Sequence, residues 1–233
     1  MDASSLIELD RELLLALNGS CSLFFDGLAK TLTTALTWVP LYLSLLYVVV
    51  KNNDNLVKVM LIVGCAALCV FLAGSLNDLY VKPLVGRWRP THDPVIGSVV
   101  DVVNDYRGGS SGFFTSHAAN TFSIAVFLSL LIRSRALTVA LVVWSLLNCW
   151  TRMYLGVHFP GDILCGLLWG ATVGVGMFFL HKKMASRMAT PVKFISSQYT
   201  ATGYMVDDVH AVITVFAMTI VYAILRACFF LYV

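Results

Sequence analysis

Six apolar runs constrain this sequence more than any other feature. They are Thr31–Val50, Leu56–Leu76, Ala118–Ile132, Ala136–Arg152, Ile163–Leu180 and Val209–Leu231. Each approaches the ~20 residues that a helix needs to cross a bilayer. A helix suits that passage because it satisfies its own backbone polar groups. The third run is short, but polar Thr121 and Ser123 suggest that its start faces protein. Hydrophobic residues form 58% of the 233-residue chain and charged residues 12%, a departure from soluble averages towards membrane proteins. The expected fold is therefore all-α: a polytopic membrane protein, one domain over residues 1–233, built as a six-transmembrane-helix bundle. Gly166, Gly170 and Gly174 fall on one helical face and suit close helix contacts in lipid.

Ahead of the first run, Ser5 to Asn18 reads as an amphipathic helix, within a region 1–30 expected to lie at the interface. Ser5 and Glu8 match a capping box, and Leu6, Leu9, Leu13 and Leu17 share a face. Glu8, Asp10, Arg11 and Glu12 interrupt any signal-peptide core. A net charge of +3 with dispersed basic residues gives no footprint for nucleic acid. The six cysteines lack metal or disulfide spacing and read as small buried hydrophobes.

Six crossings put the N-terminus, the loops after spans two and four, and the C-terminus on one side. The other side carries Lys51, Lys58, Arg133, Arg135, Lys182, Lys183, Arg187 and Lys193, and the charge bias makes it cytoplasmic. Arg226, inside the last span, is read as snorkelling to the interface.

The outward loops hold the ionisable groups that lipid does not explain. Thr151 to Asp162 carries Arg152, His158 and Asp162 between two apolar runs. Pro160 marks a helix start, so Asp162 falls in its first turn with His158 just outside. Asp162 can accept the Nδ1 proton of His158 and leave Nε2 as a nucleophile. Arg152 offers a planar fork suited to phosphate. The loop after span two opens with Lys82 and Arg89-Pro90, and ends with Gly112-Phe113-Phe114-Thr115-Ser116-His117. Thr115 or Ser116 can cap the next helix, whose free N–H groups form an anion site. His117 there can pass a proton to a leaving oxygen. Gly108 to Gly112 reads as a mobile loop that could admit substrate. No cluster has metal-ligand spacing. This inventory fits phosphoryl transfer through a covalent histidine, with neither metal nor cofactor: Lys82, Arg89 and Arg152 neutralise the phosphoryl oxygens, His158 attacks, His117 handles the proton and Asp162 orients His158.

These elements resemble the type 2 phosphatidic acid phosphatases, whose signature is K-x6-R-P, P-S-G-H and S-R-x5-H-x3-D. Lys82 to Pro90 matches fully, and Thr151 to Asp162 matches with Thr for Ser. Phe114-Thr115-Ser116-His117 keeps the histidine but replaces Pro-Ser-Gly with Phe-Thr-Ser. The resemblance covers residues 56–180 and leaves the N-terminal helix and an extra C-terminal span at 209–231 outside it. It implies a membrane lipid phosphatase whose partners are its lipid phosphate substrate and membrane lipids, set in a bacterial inner membrane with an extracytoplasmic site. Undecaprenyl pyrophosphate, phosphatidylglycerol phosphate and lipid A phosphates are the substrates it implies, and the outward-facing site leans towards the first. A lipid-phosphate-binding or transport protein without turnover is the alternative, and the altered Phe114-Thr115-Ser116 is the feature in its favour. A vanadate-dependent oxidase fits less well, because soluble character is expected there.

Overall fold

A computed structural model describes residues 3–186 and 197–229. The fold is all-α, with α1 (Ala3–Leu17), α2 (Leu23–Thr33), α3 (Val39–Lys51), α4 (Leu56–Val70), α5 (Lys82–Val85), α6 (Ser116–Ile132), α7 (Arg135–Tyr154), α8 (Pro160–Ala185) and α9 (Val206–Phe229). By length and composition four stretches among the described residues can cross a membrane, or five if bent α2–α3 is one span. The expected count of six is reached only by adding the 17-residue α6. That helix is short because it is surrounded by protein: Ser116, Thr121 and Ser123 are buried in its first half.

Four boundaries differ from expectation. The first span breaks at Thr34, whose extended backbone turns α2 by 69° from the helix that follows. Pro40 opens α3, where its missing N–H has no partner to lose. The carbonyls freed at the break are taken by Thr37 Oγ1 on Thr31 and Trp38 Nε1 on Leu32. Region 1–30 is interfacial only through α1, since α2 packs on α7 and α9. The second span does not end at Leu76: two π turns, Phe71–Ser75 and Asn77–Val81, carry the helix on to Val85. It stops at Gly86, whose φ of +60° suits a left-handed C-cap. α1 begins at Ala3, so Ser5 lies inside the helix and is not its cap. The final span is α9, and residues 230–233, like Arg187 and Lys193, lie outside the described residues.

The contact that positions the site runs between α6 and α8. A Cβ on Gly166, Gly170 or Gly174 would come within 2.8, 2.5 and 2.6 Å of the carbonyls of Thr115, Ala119 and Ser123. Bare glycines let the two backbones meet. Both residue numbers rise together, so the helices are parallel and their N-termini share one end. α1 lies across that end: Leu14 is buried against Ile96, Val100 and Phe159, while Leu6, Leu9, Leu13 and Leu17 face outward. That outer face has the character of an interfacial helix.

Candidate active site

The shared end of α6 and α8 gathers the sequence-derived residues. His158 precedes α8 and is 1% exposed, and Arg152, in the last turn of α7, is 2% exposed. His117 is the second residue of α6 and is exposed, whereas His158 is buried. Lys82, Arg89 and Arg152 act electrostatically on both imidazoles, and the two imidazoles act on each other. Burial first, then Arg89, Arg152 and Lys82, push the His158 pKa well below its ordinary value.

Each cation is held differently. Arg152 donates through Nη1 to Thr33 Oγ1 and through Nη2 to Tyr106 Oη at 3.0 Å, with its guanidinium 5.4 Å from the Tyr106 ring. Its Nε is buried without a partner. The α2–α3 break thus sets Thr33 beside the arginine. Arg89 donates from Nε to the Ser111 carbonyl at 3.2 Å. A Cβ on Gly108 would meet Arg89 Nη1 at 2.7 Å, and one on Gly112 would meet its Cγ at 3.1 Å. Gly108 and Gly112 thus let the loop lie against Arg89. Backbone bonds from Arg89 N to Ser110 O and from Gly112 N to Arg87 O fasten it. Lys82 sits on helix, not in a loop, because the π turns extend α4 past Leu76. Its ammonium meets Asp78 Oδ1 at 2.5 Å and Ser116 Oγ at 3.2 Å.

At the start of α6, Thr115 occupies the N-cap position but its buried hydroxyl caps nothing and has no partner. The Ser116 hydroxyl is engaged by Asp78, Lys82 and Asn77. Asn77 also donates to the Phe114 carbonyl at 2.7 Å, which fixes the turn before His117.

Asp162 is fully buried and does more than face His158. Its Oδ2 accepts the Phe159 N–H at 3.1 Å, and Oδ1 accepts Arg87 Nη1 at 2.7 Å. His158 Nδ1 lies 3.7 Å from Oδ2, beyond hydrogen-bond range, so the expected direct bond becomes an electrostatic contact. Arg87 also covers the Phe159 ring at 4.3 Å and reaches Asp10 of α1.

Asp10, Thr33, Asn77, Asp78, Arg87 and Tyr106 were not singled out for the site from sequence. Asp78 had a readable signal, its i,i+4 spacing from Lys82. Asp10 and Thr33 had none, being far along the chain from every motif. Beside the α2–α3 break, a separate cavity of about 600 Å³ is lined by residues including Thr34, Pro40, Met218, Tyr222 and Arg226, and it holds none of the expected site residues.

Residues 58–185 match the model of the PAP2 superfamily, more than half of the chain. The chain belongs to this superfamily. It is 39% identical over 190 residues to a lipid A 4'-phosphatase of Bacteroides thetaiotaomicron, covering 80% of this chain and 84% of that one. A lipid A 4'-phosphatase of Porphyromonas gingivalis is 32% identical over 184 residues, covering 78% and 77%. A decaprenylphosphoryl-5-phosphoribose phosphatase of Mycobacterium tuberculosis is 33% identical over 114 residues, covering 49% and 56%. No solved structure matches the chain. The membrane-length helices and this family membership make the chain an integral membrane protein.

Proposed function

We propose that this protein is a lipid phosphatase that cleaves a phosphate monoester of the lipid A 4'-phosphate type through a phosphohistidine. The observation that carries the reading is the meeting of His117, His158, Lys82, Arg89 and Arg152 at the joined N-termini of α6 and α8. The lipid class rests on the two relatives named lipid A 4'-phosphatase, which match most of the chain. They draw the reading away from undecaprenyl pyrophosphate.

In this mechanism the Nε2 lone pair of neutral His158 forms a bond to phosphorus as the bond from phosphorus to the lipid oxygen breaks. His117, charged against the bound phosphate dianion, gives its proton to that oxygen and the dephosphorylated lipid leaves. Water then attacks phosphorus, His117 takes its proton, and the N–P electron pair returns to His158 with release of inorganic phosphate. Arg89, Arg152 and Lys82 stabilise the negative charge spread over the phosphoryl oxygens, and N–H groups at the start of α6 add to this. Thr115 and Ser116 contribute through that backbone, while the Ser116 hydroxyl holds Lys82. Asp162 stabilises the positive imidazole of the intermediate.

The active end is assigned to the periplasmic face of an inner membrane, because Lys51, Lys58, Arg133, Arg135, Lys182 and Lys183 gather at the opposite end. Phosphate release from purified protein tests the reading, with lipid A 4'-phosphate, undecaprenyl pyrophosphate and phosphatidylglycerol phosphate offered in detergent. Preferential release from the first is expected. Release from another alone corrects the substrate, and lipid binding with release from none returns the non-catalytic alternative. A Ser110→Cys variant should react with a membrane-impermeant thiol reagent in intact cells; protection there would invert the orientation.

A further inference from the structure

Asp10 belongs to α1, outside the residues that match the family model, yet it reaches the catalytic carboxylate in two steps. Its Oδ2 accepts Arg87 Nη2 at 2.5 Å, and Arg87 Nη1 donates to Asp162 Oδ1 at 2.7 Å. Its Oδ1 accepts the Gly161 N–H at 2.7 Å. That N–H opens α8, where a negative charge is favoured. A Cβ on Gly161 would stand 2.9 Å from Asp10 Oδ2, so glycine is what admits the carboxylate. One residue of α1 therefore grips both the helix that carries Asp162 and the arginine bonded to it.

We infer that Asp10 is a positioning residue for phosphoryl transfer, acting through Arg87 on Asp162 and so on His158. This rests on the proposed phosphatase reading. The charge arithmetic gives the reason. Arg87 alone would cancel Asp162 and leave no net negative charge to stabilise a phosphorylated imidazole among three cations. With Asp10 present, two carboxylates face one guanidinium and one negative charge remains beside His158. Asp10 also divides the attention of Arg87, whose two amino groups splay between carboxylates and fix the plane of Asp162. The interfacial helix is thereby tied to the chemistry and not only to the membrane surface.

Asp10→Asn tests this, because it keeps an oxygen for Gly161 while removing the charge and the second oxygen, which accepts from Arg87. Arg11→Ala is the control: Arg11 lies on the same helix and binds Asp93 at 3.0 Å, away from Asp162. Steady-state phosphate release should show kcat lowered roughly tenfold in Asp10→Asn with KM within about twofold, and Arg11→Ala close to wild type. Asp10→Glu, which keeps the charge, should retain kcat within about threefold and serves if the Asn variant folds poorly. An unchanged kcat in Asp10→Asn, an equal fall in Arg11→Ala, or a roughly tenfold loss in Asp10→Glu overturns the inference. A wild-type protein that releases no phosphate sinks the phosphatase reading and this inference with it. An active wild type with unaffected Asp10→Asn sinks only the latter.

Discussion

The two ends of the helical bundle solve opposite problems with similar residues. At the far end, Asn52 donates to Asp208 at 3.0 Å and accepts the Met205 N–H at 2.7 Å. Asn53 donates to Tyr204, and Thr202 donates to the carbonyl that ends α6 at Ile132. Lys51 closes on Asp208. These contacts fasten the start of α9 to the ends of α3 and α6. At the histidine end, by contrast, Asn77 Oδ1, Thr115 Oγ1, Arg152 Nε and His158 Nδ1 are buried without partners. Buried polar atoms are nearly always paired, so a concentration of unpaired ones marks capacity kept for another molecule. Arg11 Nε in α1, Asn120 Oδ1 and Ser129 Oγ in α6, and Trp144 Nε1 in α7 are buried and unpartnered as well, but they lie singly and not around the cations. The far end spends its polar groups on packing; the near end holds them open around a cluster of positive charge.

The contrast can be broken most sharply at His158. Its replacement by alanine should lower phosphate release by roughly three orders of magnitude or more, since the nucleophile is gone, while lipid phosphate binding through the cations persists. Parallel release and binding measurements check this; turnover near wild type would remove the nucleophile assignment. Next comes the contact that joins the two helix starts. Gly170→Val should destabilise the protein by about 2 kcal/mol, through a side chain forced onto the Ala119 carbonyl, and should cut activity as His117 and His158 part. Gly176→Ala is its foil, for a Cβ there meets nothing within 4 Å. Thermal unfolding in detergent distinguishes the pair.

At the far end, Asn52→Ala should lower stability by roughly 1–2 kcal/mol through its lost hydrogen bonds and leave kcat unchanged. A kcat that fell with it would dissolve the distinction between the ends. The smallest effect concerns pH. Because burial and three cations depress the His158 pKa, the nucleophilic neutral form persists below pH 6.5 and is lost only as pH falls through the depressed value. The acid limb of kcat/KM, corrected for ionisation of the substrate phosphate, should therefore lie below that of an ordinary histidine. A limb above it would mean that a carboxylate outweighs the cations at His158.

Much of the candidate site was readable along the chain because the proposed chemistry requires scarce residue types at membrane boundaries, where lipid offers them no role. Lys82, Arg89, Arg152, His117, His158 and Asp162 stood out for that reason. The supporting groups did not. Asn77 and Asp78 looked like loop because the apolar run ended at Leu76, while the π turns that keep the helix going leave no sequence mark. Gly108 and Gly112 suggested mobility, and nothing along the chain showed that Arg89 also passes close to them. Asp10 resembled any acidic residue on an interfacial helix.

By itself the sequence determined that the chain is helical and membrane-embedded, because apolar runs of that length have few other stable forms in lipid. It also determined which scarce polar groups must meet, and the glycine spacing on α8 already offered a face for close packing. Only the tertiary structure decided that α8 spends this face on α6, in parallel, so that two imidazoles share one end. It alone brought Asp10, Arg87 and Asp162 into one charge network. Such contacts join residues up to 151 positions apart, as Asp10 and Gly161 are. Their geometry depends on how whole helices pack, and no local pattern in the chain encodes it.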